Sequence, residues 1–110
     1  VMTEAVITSY TMVDFPSESD LTAFFVFVEK NYDQLASDLR ANGMIKFYVT
    51  RVFNKDGKYT VGNWLEYKGQ HSYVACDKVR ATFMAEVASK ATSFVVKVSA
   101  QRGIVQYDYS

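Results

Sequence analysis

The residues of this chain best equipped for chemistry are one histidine, one tryptophan and two of its tyrosines. His71 is the only imidazole and follows Trp64 by seven positions. An imidazole titrates near neutrality, so His71 is the candidate catalytic residue, as a general base or a ligand. A helix start at that point would disfavour its protonated form. The competing reading is a surface histidine, because spacing fixes no second titratable group beside it. Trp64 is a candidate for stacking on an aromatic ligand, or for filling a subunit interface, where tryptophan is enriched. Tyr10 and Tyr48 are candidates for hydrogen-bonding a phenolic or carbonyl group of a ligand; the alternative is space-filling with satisfied hydroxyls.

Other chemistries lack their residues. There is no histidine pair, no cysteine pair and no Glu-x-x-His on a helix, so no metal site is expected. Neither a glycine-rich phosphate loop nor a nucleophile elbow is present, and no cofactor is expected. Twelve basic and twelve acidic residues cancel, with no basic run to neutralise phosphates, which argues against nucleic-acid binding. The longest apolar run, Leu21–Val28, is far too short to span a membrane. Cys76 is alone, so no intrachain disulfide can form. With no signal-peptide pattern at the start, a reducing, cytoplasmic setting is expected.

The elements that must position these side chains centre on Met44–Tyr67. Two strands are expected there, about Met44–Phe53 and Tyr59–Tyr67, folded back at Asn54–Lys58 with Asp56-Gly57 driving the turn. A first strand is expected at Ala5–Val13, rich in β-branched and aromatic residues. Ser17 and Asp20 resemble a capping box. Leu21, Phe24, Phe25, Val28, Tyr32, Leu35, Ala36 and Leu39 then recur at helical spacing as far as the stop Asn42-Gly43. A second helix is expected from Gln70 to about Phe94, with a break near Asp77–Arg80. The last strand should begin near Val95, be interrupted at Gln101-Arg102-Gly103, with Gly103 either a bulge or the point where the strand leaves its own sheet, and resume extended character over Ile104–Tyr109. Met12, Met84 and Cys76 read as core.

The order β-α-β-β-α-β over residues 1–110, one domain, is the ferredoxin-like arrangement. A four-stranded antiparallel sheet carries both helices on one face and leaves the other bare. By parity Tyr10, Tyr48 and Trp64 fall on the bare face, with Thr8, Thr50 and Glu66. Such a patch needs cover, and a second copy about a twofold axis is the simplest. An aromatic content of 15% exceeds what one small core needs, in keeping with this.

Gly62-Asn63-Trp64-Leu65-Glu66-Tyr67, leading into a helix that opens Gln70-His71-Ser72-Tyr73, resembles the dimeric α+β barrels. These include the antibiotic-biosynthesis-monooxygenase-like and stress-responsive barrel proteins. The resemblance implies a homodimer with a small cavity. It also implies activities ranging from cofactor-independent oxygenation of aromatic polyketides to cyclisation, dechlorination and haem degradation. Haem-degrading members combine a first-strand Asn, a third-strand Trp and a helical His; Trp64 matches, but the first strand AVITSYTMV has no Asn. Two readings follow. One is a small-molecule-binding homodimer; as an enzyme it would be a cofactor-independent monooxygenase on an aromatic or polyketide-like compound, with His71 accepting the proton, Trp64 and Tyr48 positioning the substrate and Tyr10 donating a hydrogen bond. The other is a structural or regulatory dimer with a fully packed interior.

Overall fold

A computed structural model describes residues 6–54, 57–89 and 97–110. The elements run β1 (Ile7–Phe15), α1 (Glu18–Ala41), β2 (Met44–Arg51), β3 (Tyr59–Tyr67), α2 (Gln70–Ser89) and β4 (Lys97–Ile104). The four strands form one antiparallel sheet in the order β2-β3-β1-β4. This is the ferredoxin-like fold the sequence predicts.

Local chemistry sets the element ends. Ser17 caps α1, its hydroxyl accepting from the Asp20 amide at 3.1 Å. Asp20 does not complete the reciprocal box; its carboxylate instead accepts the Ser17 hydroxyl at 3.1 Å. At the far end Asn42 caps the helix and Gly43 takes φ +101°, a conformation that penalises any Cβ.

Two apolar clusters hold the helices on the sheet. Ile7, Leu35, Leu39, Met44, Leu65, Tyr67 and Cys76 form one. Phe15, Leu21, Phe24 and Val61 form the other. Burying Val61, Leu65 and Tyr67 fixes the parity of β3, since a slip of one residue would turn all three out to water. Cys76 is fully buried and donates to the Leu39 carbonyl at 3.5 Å; burial pushes its thiol pKa up. Arg51, on the helix side, reaches the rim and pairs with Glu18 at 3.3 Å.

Four expectations need correction. α2 runs unbroken through Asp77–Arg80, because Arg80 bonds Asp77 within the helix at 2.8 Å. β4 is not interrupted: Gln101, Arg102 and Gly103 keep register against Tyr10, Ser9 and Thr8 with no bulge. Beyond Ile104 the chain leaves the strand, with only the Val105 amide still bonded to the Val6 carbonyl. Met84 is 61% exposed rather than core, since it lies on the outer side of α2, and Met12, opposite Gly62, is half-buried on the face the helices do not cover. The expected end of the second helix and start of the last strand fall on residues 90–96, outside the described residues.

Candidate functional site

Cross-strand pairing joins Tyr48 to Trp64 and Trp64 to Tyr10. The three aromatics therefore form one row across β2, β3 and β1. They alternate with Phe47, Leu65 and Ser9, which face the helices, so the row lies on the opposite face. Trp64 and Tyr10 meet at 5.7 Å between centroids, tilted by 58°. The Trp64 indole N–H donates to the Glu66 carboxylate at 2.8 Å. Gly62 makes room for Tyr10: a Cβ there would stand 2.7 Å from the Tyr10 hydroxyl. Tyr48 is half exposed, at 53%. On the same face Thr60 is buried and donates to Asp14 at 2.6 Å.

His71 is not brought to this row. It stands exposed in the first turn of α2, in the layer on the other side of the sheet. The structure thus unites three of the four residues nominated from sequence and separates the fourth by the thickness of the sheet.

A second group of residues, which sequence reasoning missed, lies on the helix-facing side of the sheet and on α2. Ser9 Oγ, Asn63 Oδ1, Tyr67 OH and Arg80 Nε are buried and have no hydrogen-bond partner. Ser9 pairs with Leu65 on β3, and Asn63 and Tyr67 are the next residues of the same parity on either side of Leu65. Asn63 and Tyr67 lie four residues apart on β3, about 13 Å, with Leu65 between them. Thr11 lies opposite Asn63, whereas Tyr67 is itself a member of the first apolar cluster. The available signal was Ser9 and Asn63 themselves: small polar residues on the apolar parity of the two central strands.

The group is mixed: the Ser9 and Tyr67 hydroxyls and the Arg80 Nε–H can donate, whereas the Asn63 amide oxygen only accepts. Burial pushes the Tyr67 phenol up to about 12, with the Arg80 charge opposing that rise, so the hydroxyl stays neutral. Arg80 already holds Asp77 through a terminal nitrogen, while its Nε stays unused. Tyr73 of α2 covers Tyr67 edge-on at 5.5 Å, and the Arg102 guanidinium lies 5.7 Å from the Tyr73 ring centre. Each unmet buried polar atom costs about 1–3 kcal/mol unless something bonds it. An oxygen-bearing small molecule, water included, meets that need.

Two open grooves lie elsewhere. One of about 480 Å³ runs along the helical layer between Phe27, Leu35 and Phe83; the other, of about 360 Å³, lies between α1 and β2. Among the described residues no group of three or more His, Cys, Asp or Glu could hold a metal ion. Nor is any described helix long and apolar enough to cross a membrane.

Comparison with known proteins agrees with this architecture. A family model described as a domain of unknown function, DUF6974, matches residues 4–105. No curated protein matches the sequence. A dimeric ferredoxin-like protein from an uncultured marine organism is 25% identical, with a TM-score of 0.84 over 96% of this chain and 98% of that one. A monooxygenase from Streptomyces coelicolor, in complex with nanaomycin D, is 9% identical, with a TM-score of 0.68 over 96% and 92%. A cofactor-independent oxygenase from Streptomyces nogalater is 8% identical, with a TM-score of 0.62 over 96% and 97%. The chain thus has the fold of the antibiotic-biosynthesis-monooxygenase-like α+β barrels, as its sequence resemblance implies.

Proposed function

The chain belongs to the DUF6974 family, and from that premise we propose that it works as a homodimer binding a small, oxygen-bearing aromatic molecule under α2. The observation that carries the binding site is the group of unpartnered buried atoms on Ser9, Asn63, Tyr67 and Arg80. The observation that carries the dimer is the row Tyr48–Trp64–Tyr10 on the face its own helices do not cover.

The 25% identical neighbour is itself described as dimeric.

The groups facing the site favour binding and oxyanion stabilisation over proton abstraction. The hydroxyls of Ser9 and Tyr67 and the Arg80 Nε–H suit an oxygen that carries or develops negative charge, while the Asn63 amide oxygen, which only accepts, calls for a donor on the same molecule. Two neighbours of the same fold are oxygenases, and cofactor-independent oxygenation of a phenol or enol is the reaction class we propose to test. In that chemistry these donors hold the substrate oxyanion while the substrate itself reduces dioxygen. His71, exposed and remote from the aromatic row, has no part in this proposal.

Thermal-shift screening against aromatic acids, quinones and polyketides, repeated on Tyr67→Phe, tests the reading. A ligand that binds the native state raises the melting temperature by mass action. The shift should shrink in Tyr67→Phe; a ligand indifferent to that change removes the site. One observation favours the second reading, a structural or regulatory dimer: both open grooves lie away from the polar group. A screen without ligands and an unchanged dimer would leave that reading standing.

A further inference from the structure

We propose that the molecule taken by the site under α2 is an aromatic acid, and that Arg102 selects it by pairing with its carboxylate at the rim. This rests on the proposed binding site and adds the charge of its ligand. Three observations place Arg102 there. It lies directly opposite Ser9 in the β1–β4 register, so it neighbours one of the unpartnered buried atoms. Its guanidinium lies 5.7 Å from the centre of the Tyr73 ring, and Tyr73 stands edge-on to Tyr67 at 5.5 Å. Tyr67 is fully buried, Tyr73 half-buried and Arg102 exposed, so the cation lies outermost of the three.

Charge balance gives the sign of the ligand. Arg80 is matched by Asp77, and Arg51 by Glu18. Among the described residues no carboxylate pairs with Arg102, which leaves it the uncompensated charge at the rim. A guanidinium presents a planar fork of donors that fits a carboxylate through two parallel bonds. Its partial exposure on β4 leaves that fork open to an incoming ligand. Tyr73 and Tyr67 would meet the ring of the same molecule, and the neutral Tyr67 hydroxyl and Ser9 would meet an oxygen at its inner end. An acid with a flat apolar body and a second oxygen matches all of these.

Isothermal titration of the full chain with benzoate, 2-naphthoate and anthracene-9-carboxylate, each beside its carboxamide, tests the inference. At least one acid should bind about fivefold or more tighter than its amide, a preference that falls with added salt. Arg102→Gln should remove the preference, Arg102→Lys should restore part of it, and the melting temperature should stay unchanged in both. Equal binding of acid and amide, both weakened by Tyr67→Phe, overturns this inference and leaves the site itself intact. Binding of neither, or binding indifferent to Tyr67→Phe, overturns the site and the inference together.

Discussion

Trp64 donates its indole N–H to the carboxylate of Glu66, two residues along the same strand, at 2.8 Å. The polar tip of the ring is thus met within β3. Its apolar face is free to be covered by a partner without stranding a buried donor. Glu66 in turn pairs across to Lys46 on β2 and Thr8 on β1, which rims the aromatic row with polar groups. An aromatic centre with a polar margin is the usual anatomy of a protein interface.

Trp64→Ala should therefore weaken the dimer more than it weakens the subunit. Central tryptophans commonly cost 2 kcal/mol or more on truncation, which is roughly a 30-fold rise in dissociation constant. Sedimentation velocity across a micromolar dilution series reads this directly. A wild-type chain that sediments as a monomer at tens of micromolar would remove the interface altogether.

Gly62 gives a second handle on the same face. A methyl at this position would stand 2.7 Å from the Tyr10 hydroxyl and 2.8 Å from Thr50 Oγ1, which itself donates to the Gly62 carbonyl at 2.9 Å. Gly62→Ala should cost about 1–2 kcal/mol through overpacking and the disturbed Thr50 bond. Adding Tyr10→Phe removes the colliding oxygen, so the double variant should be more stable than the sum of the two changes. Urea unfolding of the four proteins supplies the cycle; strict additivity would mean that the two residues do not touch.

Alkaline stability should report the buried phenols. Burial raises both Tyr67 and Tyr32 to about 12 from an ordinary value of 10.0. For a raised pKa the folded state holds its proton longer than the unfolded chain. The associated stability is complete below pH 10 and declines as pH climbs toward 12. The loss should be of order 2 kcal/mol for a fully buried phenol. Tyr67→Phe should flatten part of the decline while leaving stability at pH 7 unchanged or improved, because it deletes a buried hydroxyl that has no partner. An unchanged slope between pH 10 and 12 would show that Tyr67 is not sequestered from water.

The contrast between these residues explains what could be read from the sequence. The faces of Tyr10, Tyr48 and Trp64 were legible because Val61 and Leu65 tie β3 to the helices, and period-two parity does the rest. The end of α1 was legible because Gly43 needs a left-handed backbone. α2 was harder. Its apolar residues are spread around the helix, so Met84 and Val74 face out while Cys76 and Val79 face in. The Gln101-Arg102-Gly103 run mimicked a break because glycine often marks a bulge, yet Gly103 sits against Thr8, whose hydroxyl would be 3.2 Å from an added Cβ. The polar group under α2 was out of reach for a different reason: Ser9, Asn63 and Tyr67 are ordinary strand residues singly, and only register and burial put them together.

The first turn of α2 packs closely against the end of α1, which gives a last prediction. Gly43, just past the end of α1, holds φ +101°, and a Cβ there would stand 2.6 Å from the Cβ of Ser72 in the first turn of α2. Gly43→Ala thus meets two penalties, a left-handed alanine and a steric overlap with a neighbouring helix. The backbone part costs roughly 1–2 kcal/mol and the overlap about 1–3 kcal/mol more. Ser72→Gly in the same chain relieves the overlap alone, so part of the lost stability should return. In the single variant α2 can relieve the overlap only by shifting its first turn, and that turn leads directly into Tyr73. Ligand binding under α2 should then fall further than dimerisation, because the aromatic row lies on the opposite side of the sheet and does not touch Ser72. Chemical denaturation, sedimentation and ligand titration on the three proteins separate these effects. Equal loss of dimer and ligand affinity would mean that the two faces of the sheet are not independent.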